Sequence, residues 1–340
     1  MVTGMREIGS EFWEVPTNNT GNGVFPSSTQ WFLSGRSALQ AIIKGIKERK
    51  EPRFVAMPSY CCDSMIVPFL KEGIEVRFYP VYPGEDGLVQ EIDKSCDILF
   101  LIDYFGYSAQ VFALDDYGGE IIRDVTHSVF SYSYNDADYC FGSLRKWCGV
   151  WTGGYAWGKA GHGLPMTGTD DYGYAALREK AMKLKDSYIH GWGAVNKEHL
   201  RVFEEAEEAL ERVTIAPAKN RDIELAKKLN VEFINSRRRA NAEVLRSAFS
   251  EWLIFPHLSD SDTPMFVPVL VPEGKRDELR RYLIKHEIYC PVHWPVSEYH
   301  RLDERTVYIY QNELSLVCDQ RYTVEDMNRM VETIKMFVEG

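Results

Sequence analysis

A chain of 340 residues, 45% hydrophobic and 26% charged, has ordinary globular composition and the length for about two domains. Its net charge of −11 withholds the basic field that a nucleic-acid partner needs, although a few arginines and backbone amides can still hold an anionic small molecule. No run approaches the roughly 18 apolar residues of a membrane-spanning helix. The opening "MVTGMREIGSEFWEVP" lacks the apolar core of a signal peptide, and the seven cysteines contain no C-x-x-C pair of the kind that binds zinc. A cytoplasmic protein with reduced cysteines, no metal and no membrane contact is therefore expected.

Residues 1–30, rich in Asn, Thr, Gly, Ser and Pro, read as an exposed, extended arm. "SGRSALQAIIKGIKERK" follows, with Leu39, Ile42, Ile43 and Ile46 at helical spacing and a basic last turn that suits the helix dipole. Strand and helix then alternate. "RFVAMPSY" is a strand, "CCDSMIVPFLKEG" a helix carrying Pro68, and "IEVRFYPV", "DILFLIDYFG", "GEIIRDVTH", "ADYCFGSL" and "GGYAWGKA" are further strands. Alternation of this kind predicts a mostly parallel sheet with helical crossovers, whose strand C-termini gather at one ligand-binding edge. The middle is helical: "DDYGYAALREKAMKLKDSYIHG", "KEHLRVFEEAEEALERV" and an unbroken helix through "RDIELAKKLNVEFINSRRRANAEVLRSAFSE". "TPMFVPVLVPEG" opens a second strand-bearing unit, followed by the helix "KRDELRRYLIKHE", the segment "IYCPVHWPVSEYH" and a terminal helix "TVEDMNRMVETIKMFVEG". The division falls near residue 235, giving a large unit (1–235, with the arm) and a smaller α+β unit (236–340).

Four features fall on the expected ligand edge. "SGRSAL" starts a helix, where Gly35, Arg36 and Ser37 offer an anion cradle or an ordinary cap. Asp124 ends an apolar strand, where it is either a cap for the next loop or a buried carboxylate that needs a cation. Lys146 follows 22 residues later in "GSLRKWCGVWTGG", one strand along; a surface lysine at a strand end would account for it taken alone. Tyr60, in "MPSYCC", supplies a flat ring. A phosphate cradle, an acid for a ring nitrogen, a flat cover and an amine together suit pyridoxal phosphate (PLP). A nicotinamide enzyme would need G-x-G-x-x-G after its first strand, and none is present.

In "SGRSAL", "MPSYCCDSMIVPFLKEGIEVRFYPV", "DYFGY", "IIRDVTHS", "GSLRKWCGVWTGGY" and "YCPVHWPV" the chain resembles fold-type I PLP enzymes, nearest the DegT/DnrJ/EryC1/StrS aminotransferases, over nearly its whole length. The resemblance implies the three-layer αβα fold of that type, with a smaller C-terminal α+β domain. It implies that Lys146 carries the cofactor covalently, that Asp124 partners the pyridine nitrogen and that His127 approaches the cofactor hydroxyl. Gly35, Arg36 and Ser37 match the phosphate-binding helix start, and Ser143, three residues before the lysine, is a second phosphate contact. In many members the covering ring lies two residues beyond Tyr60, where this chain has Cys62.

The activity so implied is amino transfer from a donor such as glutamate to a keto group on a nucleotide-linked sugar, in polysaccharide or glycan synthesis. A homodimer with composite sites is implied too. His293 and Trp294 are substrate-side candidates, or a packed strand–loop junction. A diphosphate would need a local basic cluster, for instance Arg145 with Arg36. Two other readings stand beside this one: a PLP enzyme for small amino and keto acids, and a PLP-fold binding or regulatory protein without turnover.

Overall fold

Short apolar runs between turn residues become the strands, and longer amphipathic runs become the helices. The computed structural model describes residues 7–18, 23–107, 114, 116–131, 137–192 and 196–340; parts of the expected arm, residues 1–6 and 19–22, lie outside the described residues. In chain order the first part contains β1 (Ile8–Gly9), β2 (Gln30–Phe32), α1 (Gly35–Lys47), β3 (Phe54–Pro58), α2 (Asp63–Lys71), β4 (Glu75–Tyr79), β5 (Val81–Pro83), β6 (Leu88–Gln90), β7 (Ile98–Ile102), β8 (Glu120–Asp124), β9 (Tyr139–Ser143) and β10 (Gly154–Gly158). There follow α3 (Tyr174–His190), α4 (Glu198–Leu210), α5 (Asn220–Lys227), α6 (Val231–Ala248), β11 (Phe266–Leu270), α7 (Arg276–Lys285), β12 (Ile288–Tyr289), α8 (Glu304–Asn312), β13 (Glu313–Val317) and α9 (Val324–Glu339).

The central sheet has seven strands in the order β2-β10-β9-β8-β7-β3-β4. Neighbours from β9 through β4 run parallel, and only β10 is antiparallel to its neighbours β9 and β2. Every residue of β7, β8 and β9 is buried, as befits strands covered on both faces. Two of their charges are paired: Arg123 reaches Asp103 at 2.8 Å, where Ser128 also donates at 2.8 Å, and Glu120 reaches Lys50 at 2.7 Å. The parallel run brings the C-terminal ends of β3, β7, β8 and β9 to one edge. Because β10 is reversed, β2 runs with β9 and delivers the start of α1 to that edge as well.

Helix α1 begins where Ser34 Oγ accepts the Ser37 amide at 3.1 Å, and ends with Lys44 and Lys47 in its last turn. Leu39, Ile42, Ile43 and Ile46 are buried, as their spacing predicts. Helix α2 continues through Pro68, at the loss of one intrahelical bond.

Two expectations need correction, and one further stretch gains an assignment. The long helix through residues 221–251 is broken: α5 ends at Lys227, and Asn230 caps α6 by accepting the Phe233 amide at 3.2 Å. "ERTVYIYQNELSLV", unassigned in the sequence reading, forms α8 and β13, and β13 completes a two-stranded sheet with β11. The arm is not free. Its β1 pairs in parallel with β12, and Ile8 and Phe12 are buried, worth about 1.5–3 kcal/mol each.

Two cores divide most of the apolar side chains. One surrounds the seven-stranded sheet; the other gathers Ile8, α6, α7, α9, β11 and β13. Within α6, Ile234 belongs to the first core and Ala242 and Leu245 to the second. Among the described residues no helix is long and apolar enough to cross a membrane.

Candidate active site

Residues 144–146 form one 3₁₀ turn at the end of β9, two strands from the place where β7 gives way to Asp103. Asp124, the last residue of β8, pairs with Phe141 on β9, so its carboxyl and the Lys146 amine emerge from neighbouring strand ends. Lys146 is exposed and makes no ion pair among the described residues. Asp124 is buried, and its carboxylate accepts the Thr126 amide at 2.8 Å. Burial raises its carboxyl to about 6; Asp103 adds to the rise, while Thr126 and Lys146 oppose it. Among the described residues no cation forms an ion pair with it, although the Lys146 charge reaches it.

His127 is buried in the turn after β8, and its Nδ1 accepts the Phe105 amide at 3.3 Å. Burial, helped by Lys146, holds the ring at about 3, so it is neutral and carries its proton on Nε2. Ser143, at the end of β9, has a buried hydroxyl with no hydrogen-bond partner among the described residues. Ser143 packs against the start of α1, since a Cβ placed on Gly35 would stand 3.3 Å from Ser143 Cβ. An orphaned hydroxyl, a close-packed glycine and the open first amides of a helix fit a phosphate group.

The remaining predicted residues are placed differently. Ser37 belongs to the same helix start, but its hydroxyl already donates to the Thr214 carbonyl at 2.8 Å. The Arg36 side chain turns away to Glu211 at 2.7 Å, leaving its amide for the cradle. Tyr60 is sealed among Tyr104, Trp294 and Tyr310, with ring centres 5.6, 5.2 and 5.1 Å away. Cys62 lies nearer the charges, within reach of the fields of both Lys146 and Asp124, and its thiol contacts Ser64 Oγ at 2.9 Å. Trp294 stacks on His127, with centroids 5.7 Å apart and planes 23° from parallel. His293 packs edge-on to the same histidine.

Beside Lys146 opens a cavity of about 500 Å³. Its wall includes Glu11, Phe12, Phe266, His293 and Arg321, contributed by the arm and by the C-terminal unit. Arg321 is buried, bridges Asp319 at 2.8 Å and donates to the carbonyls of Ser10 and Glu11, strapping the arm over the cavity. Burial alone would raise the Glu11 carboxyl, but Arg178, Arg145 and Lys146 bring it below its ordinary value. Arg145 is held by Glu207 at 2.7 Å; burial works against that carboxylate's charge, yet Arg145, with Arg178 and Lys146, brings it to about 2.

Sequence reading did not find the arm's Glu11 and Phe12, nor Glu313 and Ser315, which support His293. A buried glutamate at the head of an apolar strand, "ELSLV", was the available signal for the last two.

No protein-family profile and no curated protein matches the sequence. Solved structures do match. A DegT DnrJ EryC1 StrS aminotransferase from Brucella abortus is 14% identical, with a TM-score of 0.61 over 91% of this chain and 85% of its own. NtdA from Bacillus subtilis, solved with bound cofactor PMP, is 14% identical, with a TM-score of 0.60 over 92% of this chain and 73% of its own. The sugar aminotransferase CalS13 from Micromonospora echinospora is 16% identical, with a TM-score of 0.58 over 91% of this chain and 87% of its own. The chain thus has the αβα fold of the DegT/DnrJ/EryC1/StrS aminotransferases.

Proposed function

We propose that this protein is a PLP-dependent aminotransferase that moves an amino group from a donor such as glutamate to the keto carbon of a nucleotide-linked sugar, in glycan or polysaccharide synthesis. One juxtaposition carries the reading. A lysine amine and a buried carboxylate, neither in an ion pair among the described residues, lie at adjacent strand ends, and a serine without a hydroxyl partner there packs against a helix start. The fold shared with sugar aminotransferases supports the substrate class.

In this reading PLP supplies an electron sink that lets a proton leave the carbon bearing the amino group. Lys146 holds the cofactor and, once freed, carries that proton as base and then as acid. Asp124 keeps the ring nitrogen protonated, gaining an ion-pair partner for its buried carboxylate. The neutral His127 donates from Nε2 toward the ring hydroxyl. Gly35 and Arg36, through the amides of the helix start, and Ser143, through its hydroxyl, hold the phosphate, while Ser37, with its amide on Ser34 and its hydroxyl on Thr214, fixes the helix start. The sealed position of Tyr60 leaves the covering role to Trp294, which already stacks over His127.

We assign the large cofactor-binding unit to residues 1–235 and the small unit to 236–340, supported by the change of core along α6. A homodimer fits the exposed Val296, Tyr299 and Tyr308 beside the site-forming loop. Seven free cysteines, five of them buried, favour a reducing cytoplasmic setting.

A second reading has a specific observation behind it. Arg36 and Arg145, the arginines for a diphosphate, are each held by a glutamate of the chain, which favours a small keto acid as acceptor. The test is to convert the PLP form with glutamate, remove the donor, and offer keto-sugar nucleotides and 2-keto acids separately. Return of the lysine-bound cofactor's absorbance with a keto-sugar nucleotide supports the proposal. Return with 2-keto acids alone supports the second reading, and no conversion by any donor leaves a binding protein.

A further inference from the structure

Behind His293 lies a closed set of hydrogen bonds. Glu313 and Ser315 are two apart on β13 and so share one face of the strand. Ser315 Oγ lies 2.5 Å from Glu313 Oε1 and 2.9 Å from His293 Nδ1. Glu313 Oε2 accepts the His293 backbone amide at 2.9 Å, and the Ser315 amide donates to the Pro291 carbonyl, which fixes the loop to the strand. Glu313 and Ser315 are wholly buried, while His293 Nε2 has no partner among the described residues and its ring lines the cavity beside Lys146.

We propose that Glu313, acting through Ser315, sets which ring nitrogen of His293 carries the proton, and so whether His293 meets a cavity ligand as donor or acceptor. The inference rests on the cavity being the substrate site. The hydroxyl of Ser315 has one hydrogen and stands between two acceptors, which couples the states of its neighbours. With Glu313 protonated, the acid donates to Ser315 Oγ, Ser315 donates to Nδ1, and His293 presents Nε2–H to the cavity. With Glu313 ionised, Ser315 donates to the carboxylate, Nδ1–H donates to Ser315, and Nε2 presents a lone pair.

Passage between the two states is a balanced proton relay. The Glu313 O–H bond breaks as an Oγ–H bond forms. The old Oγ–H bond breaks as Nδ1–H forms. The Nε2–H bond breaks, and that proton goes to a base or water in the cavity. No charge is left on the imidazole, which suits a ring whose cationic form is disfavoured by burial, then by His127 and Lys146. A buried acid is thereby connected to the cavity without being exposed to it.

The groups facing the relay come from several elements. Toward Glu313 these are Tyr60 after β3, Arg276 on α7, Cys290 after β12, and His293 and Ser315 themselves. Arg276 donates to the Glu313 backbone carbonyl at 3.0 Å. Burial lifts the Glu313 carboxyl to about 7, against the pull of Ser315, the His293 amide, Arg276 and Tyr60. Both relay states are therefore populated near neutral pH.

The experiment is long-range proton–nitrogen NMR on the full chain labelled with ¹⁵N-histidine, titrated from acid to alkaline pH, with His293 assigned by its absence in His293→Gln. The wild type is expected to carry Nε2–H in acid and Nδ1–H in base, with a midpoint near 7. In Glu313→Gln the side-chain oxygen must accept the His293 amide, so its NH₂ donates to Ser315, and Nε2–H persists at every pH. In Ser315→Ala the transition disappears although Glu313 is retained, which gives a second variant should the first fail to fold. A single tautomer throughout in the wild type, or an unchanged transition in either variant, would overturn the proposal. The spectra need no substrate, so they are separable from the aminotransferase reading. A switch present in the spectra with no difference in the pH–rate profile of Glu313→Gln would overturn the substrate-facing role of the cavity instead.

Discussion

Gly35 and Ser143 meet at the ligand edge of the sheet: a Cβ on Gly35 would stand 3.3 Å from Ser143 Cβ and 3.4 Å from the Gly142 carbonyl oxygen. The Ser143 hydroxyl is buried and has no hydrogen-bond partner among the described residues. A hydroxyl in that condition costs the free protein stability and recovers it when an acceptor arrives.

Ser143→Ala is accordingly expected to leave the cofactor-free protein at least as stable as wild type and to weaken PLP. A hydrogen bond to a charged group is worth about 1.5–3 kcal/mol, which corresponds to roughly 10- to 150-fold in affinity. Fluorescence titration with PLP and thermal unfolding measure the two effects separately. Affinity within twofold of wild type would place the phosphate elsewhere.

Asp124→Asn separates stability from function in a second way. The folded carboxyl stands at about 6 against an ordinary 3.8, so the folded state binds more protons than the unfolded one between those values. The contribution of this one carboxyl to the stability of the cofactor-free protein is therefore fully present below about pH 4, falls as pH rises to about 6, and is lost above. The full difference is about 3 kcal/mol. At pH 7.5 the asparagine variant should unfold at a higher temperature than wild type while losing most transamination. An unchanged melting temperature, or half-reaction rates within a few-fold of wild type, would show that another group meets the ring nitrogen.

Arg321 tests the strap over the cavity. Its guanidinium satisfies Asp319 and two arm carbonyls, all in a buried setting. Replacing it by Met strands Asp319, and breaking a buried pair of this kind costs about 3–5 kcal/mol. Urea unfolding is expected to register that loss, with faster proteolysis at the arm. A loss under about 1 kcal/mol would mean that water takes over the role of the guanidinium.

Much of this site could be read in the sequence because the chain delivers it locally. Asp124, His127, Ser143 and Lys146 each sit at or just past the end of a buried five-residue strand, where apolar runs give way to polar residues. Contacts between distant segments left no such mark. Two-residue β1 pairs with β12 some 280 residues away, with no periodicity to announce it, so Glu11 and Phe12 could not be placed at the cavity. Asn230 was a legible helix cap, and the break it marks was overrun because residues on both sides favour helix. Glu313 and Ser315 lay in a strand that the sequence reading did not assign, and their relation to His293 exists only once β13 packs against the loop after β12.

The acceptor's identity turns on two glutamates. Arg145 is bonded to Glu207 and to the Tyr174 hydroxyl, and Arg36 to Glu211, so a diphosphate reaching either arginine must displace a carboxylate of the protein. Arg145 is the more telling of the two because it lines the cavity beside Lys146. Glu207→Gln keeps the shape and removes the competing charge. For a nucleotide-linked keto sugar it should lower KM several-fold with kcat little changed, and raise the sensitivity of KM to salt as the newly released charge meets phosphate. Arg145→Met should act oppositely, raising KM about 10-fold or more through loss of a charge-assisted contact. A small keto acid has no phosphate to benefit from a freed Arg145. Steady-state kinetics of both variants on both acceptor classes therefore decide between them. Sugar-nucleotide KM values unmoved by either change, together with efficient turnover of 2-keto acids, would assign the acceptor to the keto acids and leave the roles of Lys146 and Asp124 untouched.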